Sequence, residues 1–401
     1  MAVYKCSVMD YMGKRHKMNI IEDSMAEAVE YLKQSGYVII DVKKTKSILK
    51  LNMTKCSKIK SRDLFVFCRQ IYTMIKAGVT IAESLEILKQ QTENKTFANI
   101  IGQMYKDLQK GNTFSEVLHN QNIVFPEIFI NMVEAGESSG NIDVIMNRLS
   151  NHFEKEYKIE NKVKSAMIYP MLLAIICIFV VIFILTTIMP TFVEIYSSSG
   201  VELPKTTQIM IAVSEALKNY WYIFVMSISV IIFAVLEISK NENIKLKEDY
   251  YKLKIPVLKN LVIKIAASRF TRTLSTLMGS GVHLLQALET VSGVTGNTYI
   301  GSKIMEARED VMKGLTLSQN LMQQGIFPPM VHYMIKIGED SGYIEEILDK
   351  TADFYDEEVD TAVTNLTALI EPIMIVLMAI IIGFIVISMV APMFDMIKIV
   401  Q

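Results

Sequence analysis

Phe125-Pro126-Glu127-Ile128-Phe129-Ile130-Asn131-Met132-Val133-Glu134-Ala135-Gly136-Glu137-Ser138-Ser139-Gly140 returns in altered form as Phe327-Pro328-Pro329-Met330-Val331-His332-Tyr333-Met334-Ile335-Lys336-Ile337-Gly338-Glu339-Asp340-Ser341-Gly342. Each copy reads as Phe-Pro opening a helix, an apolar stripe, and a Gly-Glu-x-Ser-Gly corner. Pro126 and Pro328 suit a first helical turn, where the missing N–H is not needed. Gly136 with Gly140, and Gly338 with Gly342, can take positive φ at the helix end and in the turn beyond. A long helix is expected after each corner, leading to an apolar run.

The duplication extends outward. Phe67-Cys68-Arg69 matches Phe270-Thr271-Arg272, and Ala77-Gly78-Val79 matches Ser280-Gly281-Val282. Gly111-x-Thr113-x-Ser115 matches Gly314-x-Thr316-x-Ser318, and Pro170 matches Pro372. A register kept over about a hundred residues marks two copies of one domain.

The fold class expected is mainly α, with a small N-terminal α/β unit, two duplicated six-helix bundles and three transmembrane helices. Residues 1–45 form the α/β unit. Val3–Met9, Lys17–Ile21 and Tyr37–Val42 have strand character, with a turn at Gly13-Lys14. Ser24-x-x-Glu27 is a capping box for a helix ending before Gly36. Residues 46–60 are a Lys- and Ser-rich linker. Residues 61–167 form the first bundle, in which Leu64, Phe67, Ile71, Met74 and Ile75 share one helical face. Breaks at Gly78, Asn94, Gly111 and Pro126, with the corner, divide it into six helices.

Residues 168–189 form the first span. Tyr169 to Met189 carries no charge and is long enough for a hydrocarbon core of about 30 Å. Residues 190–219 read as a polar external loop with Pro190 and Pro204. Residues 220–238 are the second span, opened by Tyr220, Trp221 and Tyr222 as an aromatic belt. Residues 239–367 hold the second bundle, 368–394 the third span and 395–401 a tail. Lysines 155, 158, 162 and 164 precede span one, and lysines 240, 245, 247, 252, 254 and 259 follow span two. The intervening loop has only Lys205 and Lys218. The positive-inside rule then places the N-terminus and both bundles in the cytoplasm and the C-terminus outside.

About half of the 401 residues are apolar, and 41 basic residues nearly balance 42 acidic ones. Nothing in this points to nucleic acid. The four cysteines lack CxxC spacing and read as small buried hydrophobes. No apolar run precedes residue 168, so the leading domain is expected in the cytoplasm. GxxxxGK[ST], GxGxxG and HExxH are absent from the sequence, so no catalytic residue and no cofactor site is expected. No Asp, Glu, Lys, Arg or His lies deep in any span, so no proton or ion relay is visible.

The corners admit two readings. In the structural one, Gly ends a helix, Ser caps the next, and Glu lies near its N-terminus. In the functional one, Glu137, Glu339 and Asp340 form an acidic contact surface for a partner, or for a divalent cation such as Ca²⁺ through hard oxygen ligands. Glu371, beside Pro372 at the membrane edge, matches Tyr169 of the first copy. It reads as a headgroup contact or a contact with another subunit. Ala379-x-x-x-Gly383 offers a close helix approach. Arg69 and Arg272 are expected to pair with bundle carboxylates.

These features together resemble the type II secretion protein F / type IV pilus platform family, over nearly the whole chain. The resemblance rests on the Gly78/Gly281, Pro126/Pro328 and Gly-Glu-x-Ser-Gly landmarks, on Pro170, and on Glu371-Pro372. It implies an inner-membrane, multi-pass platform that binds a hexameric cytoplasmic ATPase and couples it to extraction of pilin or pseudopilin subunits. It also implies homo-oligomers, dimers or higher, contacts with other inner-membrane assembly proteins and with membrane lipids, and in some members a cation site, carried here to Glu137. Asp340 stands where the first copy has Ser138, making the second corner more acidic. A membrane signal transducer is the competing class, but an external segment of about 30 residues is small for a sensor and no long heptad stalk appears. A permease subunit is disfavoured by three apolar spans without polar faces.

Overall fold

A computed structural model describes residues 2–9, 15–22, 25, 38–44, 59–121, 124–192, 194, 205–238 and 242–400. The chain divides into two compact units, residues 1–58 and 59–401.

In the first unit, β1 (Ala2–Met9), β2 (Arg15–Glu22) and β3 (Val38–Lys44) form an antiparallel sheet of order β2-β1-β3. A register shift at Ser7/Val8 interrupts the β1–β3 pairing. The expected turn at Gly13-Lys14, the helix from Ser24 to Gly36 and the linker up to residue 58 lie outside the described residues, apart from Met25.

The second unit holds both repeats. The first consists of α1 (Ser61–Lys76), α2 (Ile81–Gln91), α3 (Lys95–Gln109), α4 (Phe114–His119), α5 (Glu127–Ser139) and α6 (Ile142–Phe183). Thr80 with Glu83, and Thr113 with Glu116, close capping boxes on α2 and α4. Each box satisfies two orphan N–H groups. Then come α7 (Lys205–Ile238) and α8 (Glu242–Lys252). The second repeat is α9 (Pro256–Gly279), α10 (Leu284–Val294), α11 (Thr298–Met312), α12 (Leu317–Gln324), α13 (Pro329–Ser341) and α14 (Ile344–Val400). The repeats turn at matching glycines: φ is 87° at Gly78 and 86° at Gly281, and 72° at Gly140 and 77° at Gly342.

Buried rings fill the first repeat. Phe67 lies 5.3 Å from Phe97, and Phe125 4.8 Å from Phe129, centroid to centroid. The second repeat keeps Phe270 against Phe327 at 4.8 Å. Ile300 and Val331 stand where the first has Phe97 and Phe129. Smaller side chains thus pack the same framework.

The corners differ from expectation. Only the second glycine of each corner has positive φ. Gly136 and Gly338 lie inside the last turns of α5 and α13 and are buried. Their role is close approach: a Cβ on Gly136 would sit 2.5 Å from Ile145 Cγ1, and one on Gly338 would sit 2.8 Å from Ile344 Cα. Ser139 does not cap α6, since its hydroxyl donates back to the Gly136 carbonyl at 3.3 Å.

Two helices are long and apolar enough to cross a membrane among the described residues, over Ile142–Phe192 and Ile344–Val390. Pro170 and Pro372 both lie within continuous helix. A single π turn at Ile184–Ile188 extends α6. The expected external loop is partly helix. Lys205 to Asn219 begins α7, which bends at Tyr220, where φ is −123° and ψ is 23°. Ser214 donates to the Leu185 carbonyl in the π turn at 2.5 Å, and Thr207 donates to the Ser388 carbonyl at 2.6 Å. Met210 packs with Leu185, Met189, Ile385 and Met389. Pro190 and Pro204 frame the stretch and its polar residues mask the apolar face, which gives it the sequence character of a loop. Gly383 faces open space, with nothing within 4 Å of an added Cβ, so the small-residue notch is unused within this chain.

The glycine geometry gives a first test. Gly136→Ala should lower bundle stability by about 1–3 kcal/mol through overpacking against Ile145, and Gly140→Ala by a comparable 1–3 kcal/mol through backbone strain. Gly136→Ala and Ile145→Ala together should recover stability relative to the additive expectation, because the clash is then gone. Denaturant titration of the purified protein checks this. A double variant showing only additive losses would contradict the close-approach role.

Candidate functional site

The two repeats meet along a seam where α6 lies beside α14, with α9 against both. Its apolar part is Ile159, Val359 and Val363, backed by Val163, Ala166, Leu261 and Ile265. Around it runs a ladder of ion pairs between repeats. Arg148 Nη1 meets Glu345 Oε1 at 2.8 Å, and Lys155 lies 3.2 Å from Asp353 and 3.5 Å from Asp356. Lys162 pairs with Asp360, and Arg269 with Glu156 through both its Nε and Nη2. Farther out, the Asn131 amide of α5 donates to Thr290 of α10 at 2.8 Å.

Arg272 is the most enclosed cation of the seam. It reaches Asp349 at 2.7 Å, Asp353 at 2.6 Å and Asp356 at 2.8 Å. These acids recur at i, i+4 and i+7, one face of α14. Burial raises the Asp353 carboxyl, but the Arg272 and Lys155 charges outweigh it and hold it below its ordinary value. Arg69 behaves differently. It is exposed and has no carboxylate partner among the described residues, because Asn147 and Asn151 stand where α14 has Asp349 and Asp353. The expected pairing therefore holds for Arg272 and not for Arg69.

A notch fixes how the repeats dock. A Cβ on Gly279 would crowd Glu345 Oε1 and Arg148 Nη1, so glycine leaves room for this ion pair in its present geometry. The matching position in the first repeat is Lys76. Its ammonium donates to the Tyr72 hydroxyl at 3.1 Å. That bond foremost, and then the charges of Tyr72 and Asp143, raise the Lys76 pKa. Asp143 is the counterpart of Glu345. The first repeat thus fills with its own lysine the place where the second admits an arginine from outside.

Beside the notch opens a groove of about 900 Å³, lined among others by Arg148, His152, Lys155, Arg272, Glu345 and Asp349. His152 is buried there, and its Nδ1 has no hydrogen-bond partner among the described residues.

The corner carboxylates cap helices. Glu137 accepts from the Phe114 N–H at 2.8 Å, the Ser115 N–H at 2.9 Å and the Ser115 hydroxyl at 2.5 Å. Glu339 accepts from the Leu317 N–H at 2.7 Å, the Ser318 N–H at 3.3 Å and the Ser318 hydroxyl at 2.5 Å. Each therefore serves the N-terminus of the helix before its own, α4 or α12, and not the helix that follows. Partial burial pushes the Glu137 carboxyl up, but the Ser115 hydroxyl and the Ser115 and Phe114 N–H groups together hold it below its ordinary value. A divalent cation at Glu137 would have to compete with these three donors. No group of three or more His, Cys, Asp or Glu able to hold a metal occurs among the described residues. Asp340 is exposed. Glu371 accepts from the Tyr169 hydroxyl at 3.4 Å, which joins two repeat-equivalent positions at the start of the apolar stretches.

Comparison with known proteins follows the duplication. The family model for "Type II secretion system (T2SS), protein F" matches twice, over residues 67–190 and 270–392. Type IV pilus assembly protein PilC of Thermus thermophilus is 36% identical over 401 residues, covering 99% of this chain and 98% of the relative. PilC of Pseudomonas aeruginosa is 32% identical over 368 residues, covering 91% and 97%. Type II secretion system protein F of Vibrio cholerae is 29% identical over 401 residues, covering 99% and 98%.

His152 gives the seam a pH signature. Burial first, and then the Arg272 and Arg269 charges, lower its pKa to about 4. An unfolded histidine takes its proton near 6.5. Between those values the folded protein binds fewer protons, so stability present above about pH 6.5 is lost as pH falls toward 4. The thermal midpoint in detergent should fall over this window, and His152→Gln should flatten the part above about pH 5, where carboxylates remain ionised. Equal slopes in variant and parent would contradict the assignment.

Proposed function

Because the chain belongs to the type II secretion system protein F family, we propose that it is the non-enzymatic membrane platform of a type IV pilus or type II secretion-like filament machine. In this reading both repeats stand in the cytoplasm of an inner-membrane protein. They receive a hexameric ATPase and pass its movement to pilin or pseudopilin subunits leaving the bilayer. Three helices cross the membrane: α6, the second half of α7, and α14. The C-terminus lies outside. Homo-oligomers and contacts with other inner-membrane assembly proteins complete the machine.

One observation carries the reading. Helices α6 and α14 continue from the inter-repeat seam into the apolar stretches without a break. At 1.5 Å per residue, the 42 residues of α6 make a rod of about 63 Å. A torque on either repeat is therefore delivered to the membrane ends of both rods, provided the seam holds. The sequence has no phosphate-binding loop, so the energy comes from a partner.

The test is purification from native membranes in mild detergent. A secretion-type ATPase should be retained, and ATP turnover should vanish once that partner is stripped away. Loss of the ATPase under all mild conditions, or turnover by the stripped protein, would overturn the reading. In the same cells, a cysteine at Ser198 should label from outside while cysteines at the exposed positions Glu93 and Lys313 are spared. Labelling of both repeat positions would refute the orientation.

A further inference from the structure

The lysines around the membrane helices are not equivalent. On α6 they are neutralised within the chain: Lys155 by Asp353 and Asp356, Lys158 by Glu154, Lys162 by Asp360 and Lys164 by Glu160. On the elbow from α8 to the start of α9, only Lys252 is paired among the described residues, with Glu248 and Asp249. Lys245, Lys247, Lys254 and Lys259 are exposed and have no carboxylate partner among the described residues. Lys254 stands instead over the Tyr250 ring, 4.7 Å from its centroid, and 5.9 Å from that of Tyr251. The elbow's excess positive charge is uncancelled.

The elbow also exposes apolar surface. Ile244, Tyr251, Ile255 and Leu258 are 40%, 62%, 47% and 38% exposed, interleaved with these lysines. Lysine and aromatic side chains beside aliphatic ones suit a lipid interface, where one end of a side chain is apolar and the other meets headgroups.

Its height along the molecule follows from pairing. Helix α9 runs antiparallel to α14, with Ser275, Arg272, Ser268 and Lys264 meeting Glu345, Asp349, Asp356 and Glu358 in turn. From the Lys264–Glu358 pair, Pro256 lies about 12 Å toward the membrane and Pro372 about 21 Å, at 1.5 Å per residue. The start of α9 is thus within about 9 Å of the level where α14 turns apolar. At the other end, α8 begins four residues after Ile238, the last residue of α7. That length of chain spans at most about 14 Å.

We propose that the elbow Glu242–Lys259 binds the anionic phospholipid headgroups of the membrane that α7 and α14 cross. Lys245, Lys247, Lys254 and Lys259 meet the phosphates, while Ile255 and Leu258 sit at the acyl boundary. The first repeat holds no equivalent, because its α6 lysines are already spent on carboxylates of the seam and of α6 itself. The second repeat thereby gains a contact with the leaflet that the first lacks. This inference rests only on the membrane part of the proposed function, so its failure would leave the ATPase reading standing.

The test uses the full chain, delipidated in detergent and offered mixed micelles of phosphatidylglycerol and phosphatidylcholine, with bound lipid quantified by mass spectrometry. The wild type should enrich phosphatidylglycerol, less so as salt rises. Replacing Lys245, Lys247, Lys254 and Lys259 by Gln should cut the enrichment about tenfold or more, since each surface lysine contributes to anionic-lipid attraction. The same four positions as Arg should retain it, and Lys110→Gln with Lys313→Gln should leave it unchanged. No preference in the wild type, or equal enrichment in the Gln variant, would overturn the proposal.

Discussion

The Arg148–Glu345 pair seated over Gly279 governs how the two repeats meet. Its partners come from different repeats, and a side chain at position 279 would displace their charged ends. Half-exposed ion pairs of this kind contribute about 0–1 kcal/mol each. The ladder along α6 and α14 is therefore a device of register more than of stability. Free energy comes from burying Ile159, Val359 and Val363, each worth roughly 1.5–3 kcal/mol against water. The charges then decide which of several apolar alignments is kept, because a slip of one helical turn would part Arg148, Lys155 and Lys162 from Glu345, Asp353 and Asp360.

The duplication was legible because it is written in residues with special backbone needs. Glycine at positive φ cannot be exchanged freely, so Gly78, Gly140, Gly281 and Gly342 preserve the register visibly. The corners were legible as helix ends but not in their detail. A carboxylate that caps a helix 22 residues earlier leaves no local pattern. Glu137 thus resembled an exposed acid although it accepts three hydrogen bonds from α4. Gly136 and Gly338 looked like turn residues because sequence does not distinguish a glycine needed for φ from one needed for space. The start of α7 was hidden by Pro190, Pro204 and its polar side chains, two of which bond to carbonyls of neighbouring helices.

The repeats share a fold but have divided their labour. Position 76 or 279 is lysine in one and glycine in the other, so the first repeat supplies the arginine and the second receives it. Arg272 is locked by acids, whereas its counterpart Arg69 projects into solvent unpaired among the described residues. The second repeat is thus stiffened around α9 and α14, and the first retains a more open charged face. In the proposed platform, such a difference would let one repeat hold the membrane while the other follows a motor. Two identical halves would not provide it.

The central claim is that the seam transmits force because Arg148 and Glu345 lock the repeats in one register. A double-mutant cycle tests it: Arg148→Glu, Glu345→Arg and the two together, each measured for denaturant midpoint of the purified protein and for filament assembly in cells. The account predicts that each single change weakens both, while the charge swap recovers most of the assembly and shows a favourable coupling energy. Additive losses in the swapped protein, or single variants that assemble filaments normally, would contradict it.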